Sequence, residues 1–426
     1  MSQSTERLYY HDSFLFGFDA HVLESLERDG KNLVVLDRTA FYPTSGGQLH
    51  DIGNLSSLEN GSADDRGASD SKAAGSKLVA ILDVFDEEDG KIYHVTSEAL
   101  APGKSIRGVI DEARRRDHIQ QHSGQHVLSA AFVRLFDVPT ASFHMGAESC
   151  TIDLSAKSLS ETQIVEAEKL ANQVITEDRP VSIRVVPLEE ARTLGLRKLP
   201  PKQTGELRLI DIRDFDLTAC GGTHVRSTGQ IGSILLRKVE NVKQGVRLEF
   251  VCGARAVSTA RADYKTLTET AALFSSHIRD VPQQVQRSVQ ESKAAAKAQL
   301  KLLEELAGFQ AEHLLVSLPE KLQVIVLTLP ERDSSFVKLL AQKLTAARPN
   351  VIALLASGSG QPTLVFAQSP GQKGNMGQLM KDAMSKLGGR GGGNADMAQG
   401  GFQGADLGSA EKLLQEIKEK ILSGAS

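Results

Sequence analysis

Two imidazoles four positions apart, His122 and His126 in the segment His122-Ser-Gly-Gln-His126, are the residues most able to do chemistry. On a helix, positions i and i+4 project from one face with Cβ atoms roughly 6 Å apart, so both rings can reach one metal ion. Further along comes Cys220-Gly-Gly-Thr-His224, a thiol and a third imidazole bracketing a glycine pair that lets the backbone turn tightly. One cysteine and three histidines make a donor set suited to a single tetrahedral Zn2+. Taken singly, the histidine pair reads as a solvated helix face and the glycine pair as an ordinary turn; together in one chain they favour a zinc site. No acidic residue lies between the two histidines, so the general base of an H-E-x-x-H protease is absent from this helix.

A helix must carry the histidines, and one is predicted from near Asp111. Its apolar positions Ile119, Val127, Leu128, Ala131 and Leu135 fall near helical spacing, and it stops before Pro139. Upstream, residues 1–110 alternate short apolar runs with Gly, Asp and Asn, which predicts a small β-barrel-like domain. Within it, NGSADDRGASDSKAAGSK lacks apolar period and predicts a flexible insertion near 60–77. Residues 111–253 mix strands with a helix from Ser160 to Glu177, an α+β domain holding the zinc site. In 254–320, Val285, Val289, Ala296, Leu300, Leu303 and Leu306 recur at spacings of three, four and seven, predicting a helical hairpin or coiled-coil spacer. Residues 321–426 read as a C-terminal α/β domain ending in a helix from Ser409 to Leu422, which makes the fold class α+β.

Composition bounds the function. A chain of 426 residues with 40% hydrophobic and 24% charged residues is a multidomain globular protein, not a disordered or collagen-like one. Apolar runs such as Val351 to Ala356 are far below the roughly 18 residues that cross a bilayer, so no membrane partner is expected. The amino terminus has neither a basic start nor an apolar stretch with a cleavage site, which predicts a cytoplasmic protein. Three cysteines, Cys150, Cys220 and Cys252, are too few for a disulfide framework. A net charge of −4 argues against indiscriminate nucleic-acid binding, and no DNA partner is expected. Locally, Val181 to Arg261 holds fourteen Lys/Arg against eight Asp/Glu, a candidate surface for a polyanion. With no Trp and 5% aromatics, shape and phosphate contacts are expected to outweigh base stacking.

Four motifs carry a family resemblance: LDRTAFYPTSGGQLHDIGNL, RRRDHIQQHSGQHVLSAAF, DLTACGGTHV and LGGRGGGNADMAQGG. In this order, and across nearly the whole chain, they resemble the editing domain of alanyl-tRNA synthetase and its free-standing relatives, the AlaX-type alanyl-tRNA editing proteins. The resemblance implies trans hydrolysis of the ester joining serine, or glycine, to tRNA(Ala). Nothing resembles an ATP-binding core, so aminoacylation is not implied. The family's metal ligands fall on His122, His126, Cys220 and His224. Its glycine-rich motif falls on Thr44, Ser45, Gly46, Gly47 and Gln48, which implies an amino-acid pocket with Thr44 bonding a serine hydroxyl. His144 stands where relatives have a polar residue near the substrate. The implied partner is mischarged tRNA(Ala), with the C-terminal region contacting tRNA or forming a homodimer. The alternative is a catalytically inactive tRNA-binding or scaffold protein with a structural zinc. A second rival is a zinc hydrolase of small esters or amides.

Five further expectations concern other residues. His118 is read as helix surface, a hydrogen-bond partner of a metal ligand, or an RNA phosphate contact. Arg114 to Arg116 are read as a solvated first turn or a phosphate contact. Cys150 and Cys252, in apolar strands, are expected to be buried inert thiols, and His94 a strand residue. Gly388 to Gly393 is expected to form a defined backbone surface rather than a linker.

Overall fold

The structure is a computed structural model and describes residues 4–58, 77–197, 205–243, 245–316, 318–319, 321–403 and 406–423; apart from Lys77, the expected insertion near 60–77 lies outside them. The chain divides into two compact units, Met1–Leu267 and Thr268–Ser426.

The first unit opens with β1 (Gly17–Arg28), β2 (Lys31–Leu36), β3 (Gly53–Ser57), β4 (Leu78–Asp86), β5 (Ile92–Thr96) and β6 (Ser105–Ile110). They close into a barrel in the order β1-β2-β5-β4-β3-β6, so no strand edge is left open. Asp29 and Gly30, both at positive φ, turn β1 into β2, as an Asp-Gly pair does in tight hairpins. The barrel is filled by alternate apolar residues, among them Val22, Val34, Leu55, Ile92 and Ile106. In β4 the buried positions run Val79, Ile81, then Val84; the break in the period of two coincides with a register shift between Ile81 and Asp83.

Next comes α1 (Glu112–Phe136), whose N-cap Asp111 accepts a hydrogen bond from the Arg114 N–H, and which ends on Asp137 in the left-handed region, two residues before Pro139. It is followed by β7 (Thr140–Met145), β8 (Cys150–Leu154) and α2 (Glu161–Thr176), the last opened by a reciprocal Ser160–Gln163 capping box. Then come β9 (Val181–Pro187), β10 (Glu206–Ile212), β11 (Asp216–Ala219), β12 (Ile234–Val242) and β13 (Gly245–Cys252). They make a sheet of order β12-β13-β8-β7 and a three-stranded sheet β9-β10-β11. Both helices pack on the first sheet through Leu128, Phe132, Val174, Ile152 and Phe250. Each such fully buried side chain contributes about 1.5–3 kcal/mol. Cys150 and Cys252 are buried in this core, and burial pushes the Cys150 thiol up to about 12, so both are inert.

The boundary between units falls within α3 (Gly253–Leu273). The second unit holds α4 (Val281–Val316), β14 (Gln323–Leu329), α5 (Ser334–Ala347), β15 (Val351–Ser357), β16 (Thr363–Gln368), α6 (Met376–Leu387), β17 (Arg390–Gly393), β18 (Met397–Gly401) and α7 (Leu407–Leu422). Its sheet runs β14-β15-β16-β18-β17, with β14 and β15 parallel across α5 and the remaining pairs antiparallel. The glycine-rich segment is therefore an ordered strand: a Cβ on Gly391 would lie 2.6 Å from Gly400 Cα, which is why β17 carries glycine there. Along α4 the apolar series behaves differently from a buried seam. Val285, Val289, Leu300 and Leu306 are exposed, and the helix joins the unit's core only near its end, through Ala307, Ala311 and Leu315 against Phe336 and Leu340.

Candidate metal centre

The helix pair and the glycine turn meet. One donor atom from each of His122, His126, Cys220 and His224 lies within 4.8 Å of all the others. Cys220 Sγ is 3.4 Å from His122 Nε2 and 3.3 Å from His224 Nε2. Zinc bonds of ordinary length at a tetrahedral angle set sulfur and nitrogen about 3.5 Å apart, so the donor set fits that ion in type and spacing. Local sequence explains the convergence. The two histidines share one face of α1 where it passes over β13, and Gly124 between them has no room for a Cβ because Cys252 Sγ occupies that place. Strand β11 delivers Cys220, and Gly222 lets the turn pass directly against the His122 ring, which a Cβ would overlap. Arg208 holds the turn by donating from Nη1 to the Cys220 and Gly222 carbonyls at 2.6 and 3.0 Å.

Each imidazole has a polar group behind it. His122 Nδ1 is 2.6 Å from Gln48 Oε1, His224 Nδ1 is 3.4 Å from Ser123 Oγ, and His126 Nδ1 is 3.7 Å from Asp216 Oδ2. Asp216 is held in turn by both Nε and Nη2 of Arg197 at 2.8 and 3.0 Å. Burial pushes the Cys220 thiol up, but the three imidazoles around it outweigh this and hold it well below the ordinary thiol value. Burial pushes His224 well down, while for His126 the Cys220 thiolate and the Asp216 carboxylate outweigh burial and raise it. Metal binds the thiolate and the unprotonated ring nitrogens, so it would displace the proton that Cys220 and Asp216 favour on His126.

His122, His126 and Cys220 line a cavity of about 320 Å³, together with Gly46, Gln125, Thr140, Ser142, Phe143 and Arg197. Of the expected pocket residues, Gly46 lines it. Gly47, at positive φ, packs against Phe143, whose carbonyl oxygen would be 2.5 Å from an added Cβ. Gln48 is fully buried behind His122. Thr44 and His144 are exposed and not among the lining residues; Thr44 Oγ1 is 3.1 Å from His50 Nδ1. The lining hydroxyls of Thr140, Ser142 and Thr218 carry no sequence signal, because only tertiary packing brings β7 and β11, strands of two different sheets, to one cavity.

Two expectations are corrected. Arg115 is not solvated: it is fully buried and donates to Asp51, to the Ser13 carbonyl at 2.8 Å and to the Ala40 carbonyl, tying α1 to the barrel. Its neighbours are also engaged, Arg114 with the His50 carbonyl and Arg116 with Glu112. His118 is not helix surface but 1% exposed, since α1 is enclosed by packing along most of its length. Burial, followed by the nearby Arg114, Arg255 and Arg115, pushes its ring down to about 3, so it is neutral. His94 does sit in strand β5.

Comparison with known proteins agrees with this architecture. Residues 207–248 match the threonyl and alanyl tRNA synthetase second additional domain, and residues 321–423 match the DHHA1 domain. The chain is 28% identical to the alanyl-tRNA editing protein AlaX-L of Pyrococcus horikoshii, over 98% of each chain. It is 32% identical to the alanine–tRNA ligase of Pyrococcus abyssi, over 97% of this chain and 43% of the ligase, so it spans less than half the length of that relative. The C-Ala domain of Aquifex aeolicus alanyl-tRNA synthetase matches 22% of this chain at 29% identity with a TM-score of 0.21. With both domain types matched in the order of the sequence motifs and similarity to AlaX-L over 98% of each chain, the resemblance to the AlaX-type alanyl-tRNA editing proteins, and to the alanine–tRNA ligases, runs from end to end of the chain.

Proposed function

We propose that the chain is a cytoplasmic trans-editing hydrolase that deacylates mischarged tRNA(Ala), with Ser-tRNA(Ala) and then Gly-tRNA(Ala) as substrates. One Zn2+ would be held by His122, His126, Cys220 and His224. The observation that carries this reading is the four-donor cluster, three of whose residues line a cavity, within a chain similar end to end to an editing protein. A cavity of about 320 Å³ suits an aminoacyl end group and not a folded nucleic acid, so only the charged 3′ terminus would enter.

An aminoacyl ester is already activated, and the site needs chiefly to hold its carbonyl, admit a water and stabilise the oxyanion. Bound zinc supplies a positive charge beside the ester or, with four protein donors closing its shell, a fixed wall. Arg197, held by Asp216, presents a fixed cation to the cavity, and Phe143 supplies an apolar surface beside Gly46. In this reading the exposed Thr44, two residues before the lining Gly46, bonds the serine hydroxyl, and the exposed His144, next in sequence to the lining Phe143, contacts the substrate. A hydrogen bond to that hydroxyl favours serine over alanine, which has none to offer. The test is release of amino acid from Ser-, Gly- and Ala-tRNA(Ala), with and without a zinc chelator. Serine and glycine should be released faster than alanine, and the chelator should abolish the difference. Release of serine no faster than in buffer would favour the scaffold alternative.

A further inference from the structure

Three segments far apart in sequence meet behind His122. Gln48 closes the Ser45–Gln48 turn, and its side chain is 0% exposed. Its amide nitrogen donates to Thr223 Oγ1 at 2.9 Å, its oxygen accepts the Thr223 backbone N–H at 3.2 Å, and the same oxygen faces His122 Nδ1 at 2.6 Å. A backbone N–H only donates, so Thr223 identifies the atom it meets as the amide oxygen. An amide oxygen only accepts, so the hydrogen between Gln48 and His122 sits on His122 Nδ1. In the neutral ring Nε2 is then left with its lone pair, and Nε2 is the atom 3.4 Å from Cys220 Sγ, on the side where the four donors converge.

We infer that Gln48 is a positioning residue for the metal centre. It fixes the tautomer and the ring orientation of His122, and through Thr223 it locks the same geometry to the turn that carries Cys220 and His224. This rests on reading the four side chains as a zinc site. It differs from the amino-acid contact that the family resemblance implies for Gln48. The residue does not line the cavity, and both lone pairs of its oxygen are engaged within the protein, which leaves no acceptor for a substrate. The other two rings have looser support at 3.4 and 3.7 Å, so loss of the Gln48 contact should be felt most.

The test uses the full chain with Gln48→Leu, which removes the acceptor at similar volume, and Gln48→Glu, which keeps an acceptor oxygen. Zinc affinity is read by competition with a chromophoric chelator, and the His122 tautomer by 15N NMR of the metal-free protein. Gln48→Leu should bind zinc about 10- to 100-fold more weakly, with its hydrogen redistributed toward Nε2. Gln48→Glu should restore both the affinity and the Nδ1 hydrogen. Should Gln48→Leu fail to fold, Thr223→Val loosens the same amide and should give a smaller loss of affinity. Unchanged zinc affinity and tautomer in folded Gln48→Leu overturns the inference, and reduced serine release in that case would return Gln48 to a substrate contact. Absence of zinc binding by the unsubstituted chain overturns the metal reading beneath it, which is a different result from zinc bound with unchanged affinity in the variant.

Discussion

Donor chemistry at single residues carries the largest expected effects. Replacing Cys220 with alanine removes the one anionic donor of the cluster, so zinc content by elemental analysis and serine release should fall together; unchanged zinc would place the thiol outside the coordination sphere. Asp51→Ala would strand the buried Arg115 guanidinium, and breaking such a pair costs about 3–5 kcal/mol, read as a lower denaturant midpoint. His94 offers a test by pH. Burial pushes its ring down to about 4, and it stays neutral between the Val34 carbonyl and Thr39 Oγ1. The folded value lies below the unfolded one of about 6.5, so the unfolded chain takes up the proton first. The stability that neutral His94 provides is full above about 6.5 and is lost as pH falls toward about 4, some 3 kcal/mol in all. In His94→Gln this part of the slope should vanish from unfolding measured across that window; an identical slope would show that other groups set it.

At the scale of elements, the site depends on how closely α1, the Cys220–His224 turn and the Ser45–Gln48 turn approach one another. Gly222→Ala places a methyl group where the His122 ring lies, so the turn must retreat and separate Cys220 from the helix. Overpacking of this kind costs about 1–3 kcal/mol, and zinc affinity should fall while the far-UV spectrum of the second unit persists. Unchanged affinity would mean that the turn gives way without moving its donors. The N-cap matters less: Asp111→Ala should cost about 1 kcal/mol in thermal stability and leave zinc affinity intact, because packing encloses α1 along most of its length.

At the scale of the whole molecule, all four donors lie in the unit Met1–Leu267. A chain ended after α3, at Leu273, should therefore bind one zinc and unfold cooperatively while binding tRNA(Ala) more weakly in a filter assay. Loss of zinc from that shortened chain would show that the second unit is needed to hold the site together.

Short-range pattern made much of this legible beforehand. The helix starting near Asp111, the helix from Ser160 and the short apolar runs of the β domain are set by neighbours a few residues away, and the donor set is a matter of residue type. Burial of charge and the direction of side chains obey contacts across the chain instead. Arg115 reads as solvent-facing beside two other arginines until Asp51, 64 residues earlier, is seen to receive it. Gln48 reads as part of a substrate motif until His122 and Thr223, 74 and 175 residues away, claim its amide. The chain's own order thus determined which elements form and which atoms are able to ligate. Only the tertiary structure decided which polar groups are enclosed and what each faces, because those are properties of the space between segments.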